Sequence, residues 1–211
     1  MDQEIVRQRE IADGVYYLEM AGKFSFVPGQ VVSVETGGNA PRLYSIASGV
    51  NDEYPAILYD VKPEGKVTPL LRRMKTGDKI TVSEPFGNFI YGGKKAFWIA
   101  SGTGIAPFYS MFRSGLAGEI TLIHGARKKE QFYFQEEFAL QLKPRYIRCC
   151  SGESGEGLYA GRLTKHLRET DDLPPGQNYY LCGSSEMVVE VRDILISRDI
   201  PYGNIKAEIY F

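Results

Sequence analysis

Near residue 93 the rhythm of apolar and polar positions changes. Before it the chain is a series of short β-prone runs, EIVRQREIA, VYYLEM, QVVSVET, RLYSIAS, AILYDVK and KITVSE, broken by turn signals such as Asp13-Gly14 and Pro28-Gly29. Six such runs predict a small antiparallel β-barrel or sandwich domain over residues 1–93. Its one helical candidate is VTPLLRRM, residues 67–74. After Tyr91-Gly92-Gly93, strand and helix patterns alternate: AFWIAS and a helix from about Ile105; EITLIHG and EQFYFQEEFALQL; RYIRCCS and GRLTKHLRE; NYYLCG and SSEMVVEVRDILISR; then a last strand, IKAEIYF. Four βα units and a closing strand predict a doubly wound, five-stranded parallel α/β sheet over residues 94–211. On its last helix Met187, Val188, Val191, Ile194 and Leu195 form one apolar stripe, as a helix with one face on a sheet requires.

Composition narrows the picture. With 211 residues and 43% hydrophobic content the chain can bury one large core or two modest ones. Twenty-five Lys and Arg against 26 Asp and Glu give a net charge of -1, so no global field favours nucleic acid or a membrane. No apolar run approaches the ~20 residues of a membrane span, and MDQEIVRQRE is too charged for a signal peptide. A cytoplasmic protein is expected. Three cysteines, Cys149, Cys150 and Cys182, give neither a disulfide framework nor a CxxC spacing, so no metal or cluster site is expected.

Two loops carry candidate chemistry. SGTGIAP, residues 101–107, follows a buried strand and opens a helix; its glycines let backbone approach a ligand, and free amides at a helix start favour phosphate. LCGSSEM, residues 181–187, repeats the strand-to-helix arrangement with Ser184 or Ser185 as N-cap. Ligands in such sheets bind beyond the carboxyl ends of the strands, so both loops border one crevice with Cys182 at its floor. In the first half, GKVTPLL is a glycine-led turn into a short helix, and the planar fork of Arg42 suits a pyrophosphate.

The ordered series RLYS, GKVT, EPFGNF, SGTGIAP, LCGSSEM and AEIYF, from about Pro28 to Phe211, resembles the ferredoxin-NADP reductase family, FAD proteins built from a barrel and a nucleotide domain. The resemblance implies that Arg42 pairs with the FAD pyrophosphate, Tyr44 stacks on the isoalloxazine and Ser45 bonds near N5. Leu43, the backbone of Tyr59, Asp60 and Val61, the turn Gly65, Lys66, Val67 and Thr68, and Thr103 would complete the FAD site, with Tyr210 and Phe211 as aromatic cover. NAD(P)H would take Gly102, Thr103, Gly104, Pro107, Arg127, Ser151, Cys182, Gly183 and Met187; Ser45, Cys182, Glu208 and Tyr210 would serve the reacting ring. NADP-type members carry serine then arginine after the third nucleotide-domain strand, whereas here Gly152 follows Ser151, with Arg127, Lys128 or Arg162 as substitutes. NADPH is expected slightly ahead of NADH.

The same resemblance implies an FAD-dependent oxidoreductase, monomeric or weakly dimeric, that exchanges a hydride with NAD(P)H and single electrons with a ferredoxin or flavodoxin. Arg72, Arg73 and Lys75 are candidate docking charges. An NAD(P)H-flavin reductase and an electron-transfer flavin subunit of a larger complex remain alternatives.

Overall fold

The computed structural model describes residues 1–22 and 24–210. The chain forms two compact units, Met1–Tyr91 with Ala106–Leu116, and Gly92–Ile105 with the chain from Ala117 onward.

In the first unit six strands, β1 (Asp2–Ala12), β2 (Val15–Met20), β3 (Val31–Glu35), β4 (Arg42–Ser45), β5 (Ala56–Asp60) and β6 (Lys79–Val82), pair antiparallel in the order β4-β3-β6-β1-β2-β5. A bridge between Ile46 and Ile57 joins the two ends of that order and closes the barrel. The β1–β2 hairpin turns at Asp13-Gly14 because Gly14 takes φ 70°, which costs a residue without Cβ nothing. Leu18, Val32, Val34, Ile46, Ile57, Leu71 and Val82 fill the interior. Strand β2 is buried at every position, unlike a half-solvated strand, and α2 (Ala106–Arg113) contributes to this. There Tyr17 meets Tyr109 edge-on at 6.5 Å. Helix α1 (Thr68–Arg73) lies between β5 and β6 in sequence.

The second unit is a parallel sheet of six strands rather than the five expected: β7 (Ala96–Ser101), β8 (Ile120–Ala126), β9 (Tyr146–Cys150), β10 (Leu158–Ala160), β11 (Asn178–Ser184) and β12 (Ile205–Tyr210), ordered β10-β9-β8-β7-β11-β12. The added strand is β10, three residues paired with β9 and bounded by Gly157 and Gly161, too short to leave an alternation pattern. Helices α4 (Leu163–Glu169) and α5 (Ser185–Ser197) pack Leu163, Leu167, Val188, Val191 and Leu195 on one face of the sheet with Ile99, Ile123 and Leu181. EQFYFQEEFALQL is not one helix. A 3-10 turn at Lys129–Gln131 precedes α3 (Gln135–Leu142), and Phe134 between them sits at φ 59°, while Phe132 and Tyr133 are drawn into the interior. Among the described residues no helix is long and apolar enough to cross a membrane.

Candidate functional site

Both units place candidate residues at strand ends. In the barrel, β4 carries Arg42 exposed, Leu43 60% exposed, Tyr44 half-buried and Ser45 1% exposed. It stands at one end of the strand order, joined to β5 at the other end only through the Ile46–Ile57 bridge. Arg42 makes no ion pair among the described residues, only a long contact from Nη1 to the Pro41 carbonyl at 3.5 Å, so its fork is available to an anion. Burial pushes the Tyr44 phenol up to about 12, with Arg42's charge pulling the other way. The Tyr44 ring meets Tyr59 edge-on at 6.3 Å, and Tyr59 stacks on Tyr16 at 5.5 Å. The turn before α1 is built as its sequence suggests: Gly65 N donates to Lys62 O at 2.8 Å, and Lys62 N donates to Thr68 Oγ1 at 2.9 Å. Asp60 is paired with Lys62 at 2.6 Å, and Val61 N is taken by Gly14 O at 2.8 Å. Val67 is buried and Lys66 exposed.

Gln8 on β1 was silent in the sequence, yet it ties this region together. Its Nε2 donates to Leu71 O at 3.2 Å, which also accepts from Met74 N at 3.0 Å, and to Met74 O at 3.3 Å, just past the α1 terminus, and its Oε1 accepts from the Tyr59 hydroxyl at 2.8 Å. Of the basic run at the end of α1, Arg72 is engaged through Nε with the Tyr16 hydroxyl at 3.0 Å, whereas Arg73 and Lys75 are exposed.

In the second unit β7 and β11 are neighbours at the point where strand order reverses, the place where such sheets open a crevice. The two glycine loops interlock there. A Cβ on Gly104, in the 3-10 turn Gly102–Ile105, would lie 2.5 Å from the Cys182 carbonyl carbon and 2.6 Å from Gly183 Cα. A Cβ on Gly183 would lie 2.6 Å from Met187 Cε, and its φ of 154° is one that residues with a Cβ rarely take. Gly102 is exposed at φ 55° and Thr103 is half-buried. Ser184 caps α5, its hydroxyl accepting from Met187 N at 3.4 Å. Pro107 lies buried in α2, with the first unit.

Register places Cys182 beside Glu208 and Ser184 beside Tyr210 on the β11–β12 ladder. Cys182 is fully buried; burial, helped by the Glu208 charge, raises its thiol well above the ordinary range, opposed by a hydrogen bond with Tyr210. Such a thiol stays protonated and is no nucleophile. Phe211 lies outside the described residues. Beyond β8 and β9 the ladder runs on into the loops: Ser151 N donates to Ala126 O at 3.0 Å and Gly152 N to Arg127 O at 2.9 Å. A Cβ on Gly152 would sit 2.5 Å from the Arg127 carbonyl oxygen and 3.2 Å from its Cγ, so Arg127's side chain starts where one at 152 would.

His124 on β8 was also missed. It is fully buried, Nδ1 lies 3.1 Å from the Tyr146 hydroxyl, Nε2 has no hydrogen-bond partner among the described residues, and burial depresses its pKa to about 3. A lone histidine in an apolar strand carries no signal that would mark it.

Residues 98–193 match the Oxidoreductase NAD-binding domain family. The chain is 32% identical over 189 residues to a probable dihydroorotate dehydrogenase B (NAD(+)) electron transfer subunit of Pyrococcus abyssi, covering 88% of this chain and 70% of the relative. To a flavodoxin/ferredoxin--NADP reductase of Rhodobacter capsulatus it is 29% identical, covering 80% and 73%. The fold is shared with a ferredoxin NADP+ reductase from Neisseria gonorrhoeae, solved with bound FAD and NADP, at a TM-score of 0.88 and 20% identity over 100% of this chain and 98% of that one. The chain spans 48% to 74% of the length of the curated relatives it matches.

Proposed function

We propose that this chain, which belongs to the ferredoxin-NADP reductase family, is an FAD-dependent oxidoreductase that exchanges a hydride with NAD(P)H and single electrons with a ferredoxin or flavodoxin. The observation that carries the proposal is the close packing of the Gly104 and Gly183 loops at the carboxyl ends of β7 and β11, the end of such a sheet at which a nucleotide binds. The barrel fits FAD: an uncompensated Arg42 fork lies on the same strand as the half-buried Tyr44 ring, and the Lys62–Thr68 turn is closed by its own hydrogen bonds.

Bound FAD supplies the two-electron and one-electron chemistry. Arg42 neutralises the pyrophosphate, and the Tyr44 ring fixes the plane of the isoalloxazine. In the barrel Ser45 orients the flavin ring, and in the second unit Glu208, beside Cys182 on the β11–β12 ladder, orients the nicotinamide. Neutral Cys182 positions the nicotinamide and forms no bond to it. Arg127 takes the role of the arginine absent at 152, which favours NADPH. Arg73 and Lys75 offer charge to an acidic carrier.

Purified protein tests this directly. Yellow protein with stoichiometric FAD that NADPH bleaches anaerobically, faster than NADH does, is expected; no bleaching by either nucleotide would sink the enzyme assignment. The electron-transfer subunit reading is favoured by the name of the Pyrococcus abyssi relative. It predicts flavin reduced only in the presence of a partner dehydrogenase subunit.

A further inference from the structure

We infer that the second unit holds a ligand site separate from its nucleotide loops: the cavity between the start of α3 and the loop 153–157 binds a small molecule with one carboxylate on a compact apolar body. The cavity has a volume of about 260 Å³, just under the ~300 Å³ at which small-molecule sites usually begin. Its apolar wall is Phe132, 2% exposed, with half-buried Leu158 of β10. Lys129, Arg148 and Gln135 bring donors to the lining, and Glu156 brings a carboxylate.

The loop is shaped around the two cations. A Cβ on Gly155 would lie 2.9 Å from Lys129 Nζ, and one on Gly157 would lie 3.1 Å from Arg148 Nη2, so the loop lacks a side chain at each cationic head. Gly157 also takes φ 69°, which favours glycine. Neither head is spent on holding the loop, because Glu153 Oε2 accepts instead from Lys129 N at 2.9 Å. Half-buried Arg148 is held by neutral groups: its Nη1 donates to Gln135 Oε1 at 3.0 Å, and its guanidinium lies 5.8 Å over the Tyr146 ring. Among the described residues neither Lys129 nor Arg148 makes an ion pair. A partly desolvated guanidinium without a counter-charge, beside an ammonium, favours an anion with a planar fork of acceptors.

Charge and shape narrow the class. Glu156 in the lining and Glu153 at the Lys129 backbone repel a dianion, so a monoanionic carboxylate is preferred to a phosphate. Phe132 and Leu158 favour an apolar body behind it. Strand alternation separates the site from α4 and α5: Cys149 packs on their side with Leu163 and Leu167, so Arg148 before it faces α3. Arg127, Ser151 and Gly152, assigned above to the nucleotide, are not in the lining.

Equilibrium dialysis of labelled benzoate against the purified full chain, at pH 8 and low ionic strength, tests the site, with benzamide, inorganic phosphate and NADP+ as competitors. Saturable binding of one benzoate per chain is expected. Benzamide and phosphate should displace it at least tenfold less well than unlabelled benzoate, and NADP+ should not displace it. Lys129→Gln lies on an exposed turn and keeps the backbone bond to Glu153, so it should fold and weaken binding about tenfold, the loss of one charged hydrogen bond. Arg148→Lys, which keeps the charge but not the fork, should weaken it as well, and Glu156→Gln should make phosphate a better competitor. Absence of saturable binding, or unchanged affinity in Lys129→Gln, overturns the site. Phosphate competing as well as benzoate overturns the carboxylate class, and displacement by NADP+ overturns the separation from the nucleotide loops.

Discussion

Replacing Gln8 with leucine is expected to loosen α1 from the barrel, although position 8 lies more than sixty residues from the helix in sequence. The side chain makes two kinds of contact. Its amide donates to the Leu71 and Met74 carbonyls at the end of α1; Leu71 O keeps its bond from Met74 N, and Met74 is half-buried, so the loss there is small. Its carbonyl accepts from Tyr59, which is 1% exposed and has no water to turn to. An ordinary hydrogen bond contributes about 1 kcal/mol net, and stranding a buried donor costs about 1–3 kcal/mol, so the Tyr59 hydroxyl dominates and Gln8→Leu should cost the barrel about 2 kcal/mol. In the Tyr59→Phe background no donor is stranded, and the same change should cost under ~1 kcal/mol, a coupling that a double-mutant cycle isolates. With two units, unfolding is not expected to be two-state. The single tryptophan, Trp98 on β7, reports on the second unit, so the barrel transition is followed in urea through release of bound FAD, with the tryptophan transition as internal control. A cost below ~0.5 kcal/mol, or an equal cost in both backgrounds, would refute the reasoning.

Gly104→Ala should abolish binding of NADP analogues by equilibrium dialysis and destabilise the second unit by about 1–3 kcal/mol, since its Cβ meets β11 backbone rather than a yielding side chain; analogue binding at wild-type strength would contradict the interlock. His124 binds a proton readily when unfolded but, with a folded pKa near 3, not when folded, so its contribution is complete above the unfolded pKa of about 6.5 and is lost as pH falls below it. Tryptophan-monitored unfolding should lose about 3 kcal/mol between pH 6.5 and 4 from this source, and His124→Phe should flatten that slope. Arg127→Ala should raise the KM for NADPH about tenfold, a loss of ~1.4 kcal/mol, while leaving that for NADH nearly unchanged; equal effects on both would remove the phosphate role.

The six barrel strands and the two glycine loops were legible because each rests on local chemistry: alternation between turn signals for the strands, and glycine between a buried strand and a helix for the loops. β10 was not legible, since Leu158–Ala160 holds together only through its register with β9. The helix expected across EQFYFQEEFALQL contains no breaker; Phe134 is forced into the left-handed region by burial of Phe132 and Tyr133, a tertiary choice that no propensity records. Gln8, Tyr16 and His124 escaped for a related reason. Their meaning lies in partners far along the chain, and each alone reads as a strand residue.

The two units define their ligand surfaces by opposite means, and that difference decides what substitution does to each. The second unit depends on missing side chains: an added methyl group meets backbone at Gly104 and Gly152, and at Gly183 the side chains of Ser101 and Met187 from a φ of 154°. In the barrel, Tyr44, Tyr59 and Tyr16 act through ring packing, which phenylalanine reproduces, and through phenols, which it does not. Tyrosine-to-phenylalanine changes should therefore separate ring packing from hydroxyl hydrogen bonding, a separation the glycine sites cannot offer. Strict alternation set Ser45 on the face opposite Tyr44, and Ser45 is indeed almost wholly buried beside a half-open Tyr44. The ring of that strand is thus the part open to a ligand, and the path inward from it runs through Tyr59.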